Sequence, residues 1–217
     1  MPRLLLHTCC VVCSGPVLDV FRREFQVTAY FYNPNIEPLE EYEHRRDTTR
    51  AWCEEIGLPF VEGPAGHNHW AEAIKGFEKE PEGGARCLIC WRLRLEEAAR
   101  YAKENGFDFF ATTLTMGRNK KAEVINPLGQ QAGDKYGVKF YEADWKKAGG
   151  QEAAYQLAKE QNSPWKLTFS YGRALQNSAL KNWVGKDENR ARSQEIFLHR
   201  AQLAGAASRA EYNQEME

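Results

Sequence analysis

Five of the six cysteines fall in two short clusters, and their spacing is the part of this sequence best able to do chemistry. One cluster is Cys9-Cys10-x-x-Cys13, the other is Cys87-x-x-Cys90, and Cys53 stands alone. The thiolate is the metal-binding and nucleophilic form of cysteine. It is favoured at a helix N-terminus, where free N–H groups and the positive end of the macrodipole face it. Four thiolates drawn from two such pairs suit tetrahedral zinc or an iron–sulfur cluster. The adjacent Cys9-Cys10 pair departs from the Cys-x-x-Cys knuckles of a zinc ribbon, and a spare thiol at Cys13 suits redox or iron chemistry. The plain alternative is that the cysteines are buried or incidental. That is the reading for Cys53, lone on a helical stretch.

For the two pairs to meet, the elements that carry them must converge. Arg3–Thr8 reads as a first strand, followed by the Cys9–Cys13 loop and a helix that Pro16 can open at its first position. Gln26–Tyr32 reads as a second strand ending in the turn Asn33-Pro34-Asn35, and Pro38–Ile56 as a charged helix capped by Gly57. Pro59–Val61 and His67–Phe77 read as a short strand and a helix. A long amphipathic helix follows Arg86-Cys87-Leu88-Ile89-Cys90 as far as Asn105, with Leu88, Trp91, Leu95, Ala98, Ala99 and Ala102 on one side.

Phe107–Leu114 is an apolar fourth strand, Ala122–Tyr136 a helix, Val138–Glu142 a fifth strand and Gln151–Lys159 a further helix. Such alternation implies an α/β fold with an open, parallel, doubly wound sheet. Ligands then bind beyond the carboxyl ends of its strands, where the first cysteine loop lies.

The 217 residues carry a net charge of −1, with 42% hydrophobic and 27% charged residues. This is an ordinary globular composition, and it excludes a globally basic nucleic-acid binder. Only three apolar residues in a row precede His7, and no stretch reaches the length of a secretory or membrane segment. The expectation is a cytoplasmic protein without a membrane partner, in a compartment where thiols stay reduced. Beyond Asn162 the pattern changes. A short strand-like run, Leu167–Tyr171, leads into helical stretches at about Arg173–Trp183 and Glu188–Ala210. The expected division is therefore an α/β domain over 1–162 and a mostly helical appendage over 163–217.

The first part resembles the QueH-type epoxyqueuosine reductases of tRNA queuosine synthesis. The resemblance rests on Leu-Leu-Leu-His-Thr-Cys-Cys-Val-Val-Cys-Ser (4–14), Tyr-Asn-Pro-Asn-Ile-Glu-Pro-Leu-Glu-Glu-Tyr (32–42) and Arg-Cys-Leu-Ile-Cys-Trp-Arg-Leu-Arg-Leu (86–95). Phe-Ala-Thr-Thr-Leu-Thr (110–115) and Asp-Trp-Lys-Lys-Ala-Gly-Gly (144–150) complete it. It implies a nucleotide-hydrolase-like α/β fold and a [4Fe–4S] cluster held by Cys9, Cys10, Cys87 and Cys90, with an additional iron as a further cofactor. The implied reaction is reduction of an epoxide on a tRNA wobble nucleotide, with a separate electron donor. Cys13 and Asp144 are the candidate catalytic groups, Asp144 as general acid or iron ligand, with helix capping as its plain alternative.

The resemblance stops short of the Tyr-Cys-Gly-Cys that ends such proteins, since no cysteine follows Cys90. Instead, residues 164–183 and Gly-Lys-Asp-Glu-Asn (185–189) resemble the end of class I fructose-bisphosphate aldolase. In that family the residues matching Ser170 and Arg173 hold a substrate phosphate. The strand bearing a Schiff-base lysine has no counterpart here, so aldolase activity is not expected. Three readings result: an iron–sulfur reductase impaired by loss of the Cys pair, an inactive chimera retaining a metal- or cluster-binding α/β domain, and a tRNA-modifying nucleotide-binding enzyme. The third lacks the Ser-Gly-Gly-x-Asp pattern expected after the first strand.

Among the other polar residues, His7 reads either as a ligand-orienting or proton-donating group or as a buried, hydrogen-bonded one. Asn33, Asn35, Tyr42 and Arg45 read as tRNA contacts or as turn and surface residues. Arg45-Arg46, Lys120-Lys121, Lys146-Lys147 and the Arg86/Arg92/Arg94 group would form a phosphate-contacting face together, and are solvated surface charges singly.

Overall fold

Strand β1 (Arg3–Thr8) is apolar towards both faces, and the sheet is built around it. The computed structural model describes residues 1–64, 66–117, 119–147 and 172–208. The chain divides into two compact units, Met1–Glu160 and Gln161–Glu217. In the first, β1 pairs in parallel with β2 (Gln26–Phe31) on one side and β4 (Phe109–Thr112) on the other. β3 (Phe60–Glu62) flanks β2, and β5 (Lys139–Phe140) flanks β4, giving the order β3-β2-β1-β4-β5 with every pairing parallel. The fold is thus the expected α/β class. β1 takes the central place, with β4 beside it.

Side-chain alternation along β1 separates two apolar layers. Leu5 packs with Trp91, Leu95, Ala98 and Ala99 of helix α4 (Ala85–Glu104) and with Ile125 of α5 (Ala122–Tyr136). Leu4 and Leu6 pack with Val17, Leu18 and Phe21 of α1 (Val11–Phe21) and with Trp52 and Cys53 of α2 (Leu39–Glu55). Cys53 is fully buried there, as a small hydrophobe. Each large apolar side chain buried in these layers contributes on the order of 1.5–3 kcal/mol. A short helix, α3 (His67–Ala73), lies in the crossover between β3 and α4.

Several boundaries differ from expectation, for identifiable reasons. Pro16 is not the first residue of α1 but its sixth: the helix begins at Val11, with Cys10 in extended conformation as its N-cap. The missing proline N–H falls in the second turn of the helix, while the Ser14 hydroxyl donates to the Cys10 carbonyl at 2.7 Å. The earlier start places Cys13 inside the first turn. Leu88 is exposed rather than on the packed side of α4, because the buried stripe runs through Cys90, Trp91, Arg94, Leu95 and Ala98. The fourth strand covers only the middle of the predicted run, since Thr113 turns the chain into a 3₁₀ turn at Leu114–Met116. α3 stops at Ala73 rather than Phe77.

Helix α5 meets β5 at two glycines. A Cβ on Gly129 would stand 2.4 Å from atoms of the Phe140 ring, and one on Gly133 would stand 2.6 Å from the Val138 carbonyl. Gly129→Ala is therefore expected to destabilise the unit by about 2 kcal/mol through overpacking, read as a lower thermal midpoint. An unchanged midpoint would show that the ring has room to move aside.

In the second unit, α6 (Gly172–Trp183) and α7 (Arg190–Ser208) are joined by a 3₁₀ turn at Asp187–Asn189. Ser193 donates to the Asn182 side chain at 3.0 Å across the pair. The expected helix at Gln151–Lys159, the strand Leu167–Tyr171, the boundary at 162, Ser170 and the side chain of Arg173 lie outside the described residues. No helix among the described residues is long and apolar enough to cross a membrane.

Candidate functional site

Strand order reverses between β1 and β4, so the crevice that such sheets offer to ligands opens beyond the ends of these two strands. Cys9 follows β1 directly, Cys10 caps α1 and Cys13 is in its first turn. Their sulfurs all lie within 4.8 Å of one another. The Cys9 and Cys10 sulfurs are 3.9 Å apart, and the Thr113 hydroxyl, from the end of β4, stands 3.7 Å from Cys9 Sγ. Hydrogen bonds from the Cys10 and Cys13 thiols hold Cys9 well below the usual thiol range. The same bonds and burial push Cys13 up, and Cys10 rises to about 12. Within the triad these hydrogen bonds thus favour Cys9 as the thiolate.

Cys87 and Cys90 sit in the first two turns of α4, outside that triad. Cys90 is buried and Cys87 half-buried, its sulfur accepting from the Gly83 N–H at 3.3 Å. The structure therefore gathers Cys13, the expected spare thiol, with Cys9 and Cys10. The donor set fits a thiophilic group such as an iron–sulfur cluster: all five sulfurs are soft, free of disulfides and close to helix starts.

Asp144 lies four residues beyond β5. Its carboxylate accepts from the Lys146 N–H at 3.3 Å and pairs with Lys147 at 3.4 Å. The loop is tied to the crevice through Trp145, whose backbone N–H donates to Thr115 Oγ1 at 3.3 Å. The Trp145 indole N–H donates to the Thr112 carbonyl at 3.0 Å.

His7 is fully buried with both ring nitrogens engaged. Its Nε2–H donates to the Tyr32 carbonyl at 3.0 Å, so Nδ1 accepts from the Thr112 hydroxyl at 2.8 Å. Burial, reinforced by the Arg94 charge, pushes its pKa down to about 3. His7 is therefore a neutral brace between three strand ends, not a proton donor.

Two residues carry more than their sequence context suggested. Arg94, expected at the surface, is 2% exposed. It donates to Asn33 Oδ1, and Asn33, itself buried, donates to the Thr8 carbonyl at 2.8 Å, next to Cys9. The legible signal was the position of Arg94 one turn after Cys90, on the stripe that includes Trp91 and Leu95. Asn33 also lines a cleft of about 780 Å³ with Pro34, Ile36, Tyr42, Arg46 and His67. The other expected phosphate contacts are largely engaged within the protein. Arg45 pairs with Glu41, and Arg46 with Asp47 and Glu62. Lys146 donates to the Lys120 carbonyl at 2.7 Å.

A family model described as epoxyqueuosine reductase QueH matches residues 4–163. The chain belongs to the QueH epoxyqueuosine reductase family. Among its curated relatives, the epoxyqueuosine reductase QueH of Histophilus somni is 40% identical over 161 residues, 73% of this chain and 66% of that protein. The QueH of Acinetobacter baylyi is 37% identical over 73% of this chain and 74% of its own length. The chain thus spans about two thirds of the first of these QueH relatives. A second model, class-I fructose-bisphosphate aldolase, matches residues 148–217. Among solved structures, the U34-tRNA thiolase NcsA from Methanococcus maripaludis with its [4Fe–4S] cluster aligns with a TM-score of 0.49 at 15% identity, over 94% of this chain and 72% of that one.

Proposed function

We propose that the α/β unit, residues 1 to about 162, is an iron–sulfur oxidoreductase of the kind that converts epoxyqueuosine to queuosine in tRNA, with turnover in this chain impaired for want of a second redox thiol beside Cys13. The observation that carries this reading is the thiol triad Cys9, Cys10 and Cys13 at the end of the central strand, in a chain of the QueH family. Cys9, Cys10, Cys87 and Cys90 would hold a [4Fe–4S] cluster, with an additional iron beside it. Such a cluster would supply electrons one at a time from a separate donor protein or small reductant.

Removing the epoxide oxygen takes two electrons and two protons, breaks both C–O bonds, forms an alkene and releases water. Asp144, at the edge of the crevice and 18% exposed, would deliver a proton to the leaving oxygen. Cys13 would be the redox thiol. The cleft beside Asn33 would receive the modified nucleoside, with the Tyr42 ring and the prolines as apolar walls.

A second reading is favoured by one observation, the class-I fructose-bisphosphate aldolase match over residues 148–217. It is a chimera that binds its metal centre without turnover, the aldolase-like tail of residues 163–217 adding no aldolase chemistry. Anaerobically purified protein tests the centre common to both readings. It is expected to be brown, with about four irons per chain. A colourless protein holding one stoichiometric zinc would overturn the cluster.

A further inference from the structure

Arg94 is a buried cation with no opposite charge paired to it among the described residues. It is 2% exposed and leaves its Nε without a hydrogen-bond partner. Among the described residues its side chain donates to Asn33, a neutral amide. An ion held this way is costly to the fold unless an anion is nearby. The neighbouring groups are equally specific. The guanidinium field reaches Cys9, Tyr32 and His7. The Asn33 amide then ties the guanidinium to Thr8, the residue before Cys9.

We propose that Arg94 is the fixed counter-charge of the cysteine centre, a positioning residue that balances the negative charge the thiolates acquire when they ligate iron. This rests on reading the centre as an iron–sulfur cluster. Four thiolates outweigh the positive charge of the iron–sulfur core, so the assembled centre is an anion, and each electron added makes it more negative. A guanidinium on a rigid helix, shielded from water, favours the reduced form through the low-dielectric interior. Arginine suits the place because its charge is permanent and its fork holds Asn33. The burial of Arg94 argues against a tRNA phosphate as the intended anion, because a phosphate arriving from solvent would meet other surface first. Lys120 also pulls Cys9 towards the thiolate, but it is only half-buried, so water screens it more.

The test compares Arg94→Gln and Arg94→Lys with the unaltered chain in cluster-loaded and metal-free forms. Arg94→Gln is expected to shift the reduction potential of the cluster downwards, and Arg94→Lys to bring it most of the way back. Thermal midpoints give a second readout. In the metal-free protein, Arg94→Gln is expected to melt at or above the unaltered chain, because an uncompensated charge has gone. In the loaded protein it is expected to melt lower. A folded Arg94→Gln that fails to load iron while Arg94→Lys loads it would support the same role.

An unmoved potential at full iron content overturns the proposal, as does equal destabilisation of both forms or a metal-free Arg94→Gln that does not fold. Weakened tRNA binding with an unmoved potential would reassign the residue to a phosphate. An unaltered chain that takes up no iron fails the reading of the centre instead. The metal-free melting comparison still decides whether the guanidinium is a cost to the fold or a support for it.

Discussion

Replacing Cys9 or Cys10 by serine is expected to remove most of the iron and the visible absorption of the anaerobically purified protein, while Cys53→Ser leaves both in place. A hydroxyl is a harder and far less acidic donor than a thiol, so it cannot replace a thiolate on iron. Cys53 packs among Leu58 and Trp52, remote from any ligand role, and its loss reads out only as stability.

Cys87→Ser and Cys90→Ser decide whether α4 supplies half of the ligands, and both are expected to lose iron. Cys13→Ser is expected to keep it. The reverse pattern, iron lost with Cys13 and kept with Cys87 and Cys90, would restrict the metal site to the triad and end the four-cysteine assignment. The measurements are iron per chain and absorbance, neither of which requires turnover.

The second large effect concerns turnover. In cells lacking their own epoxyqueuosine reductase, this chain is expected to yield little or no queuosine in tRNA, although the cluster assembles. Epoxide reduction consumes two electrons, and a cluster that passes one at a time needs a partner to hold the other. A vicinal dithiol does so by closing to a disulfide after the reaction. No cysteine follows Cys90, and the nearest partners of Cys13 are Cys9 and Cys10. A disulfide to either would withdraw a metal ligand. Losing a positioned catalytic group costs on the order of 10²–10⁴-fold in rate, and a deficit of that size is expected here. The curated relative from Histophilus somni serves as the positive control. Queuosine formation at the control level would show that the dithiol is dispensable and would pass its role to Cys13 or an additional iron.

Much of this was written in local sequence. An apolar run such as Leu4-Leu5-Leu6 marks a buried parallel strand whichever neighbours it finds, and Arg3–Thr8 is the observed strand to the residue. Ala122–Tyr136 likewise matches its helix, because its apolar spacing and terminal glycine are properties of a single segment. The cysteine clusters were visible as spacing alone.

Tertiary structure decided what depends on residues far apart. Arg94 reads as one more charge on a charged helix until α4 packs on the sheet and removes its solvent. His7 becomes a neutral brace only because Tyr32 and Thr112 reach it from two other strands. Cys13 joins Cys9 and Cys10 because α1 begins before Pro16, a start set by the end of β1 rather than by the proline. Helical and strand periodicity is carried by neighbours in the chain, so sequence reveals it. Burial, hydrogen-bond partnership and the field at a sulfur are sums over the whole fold, so only the fold could fix them.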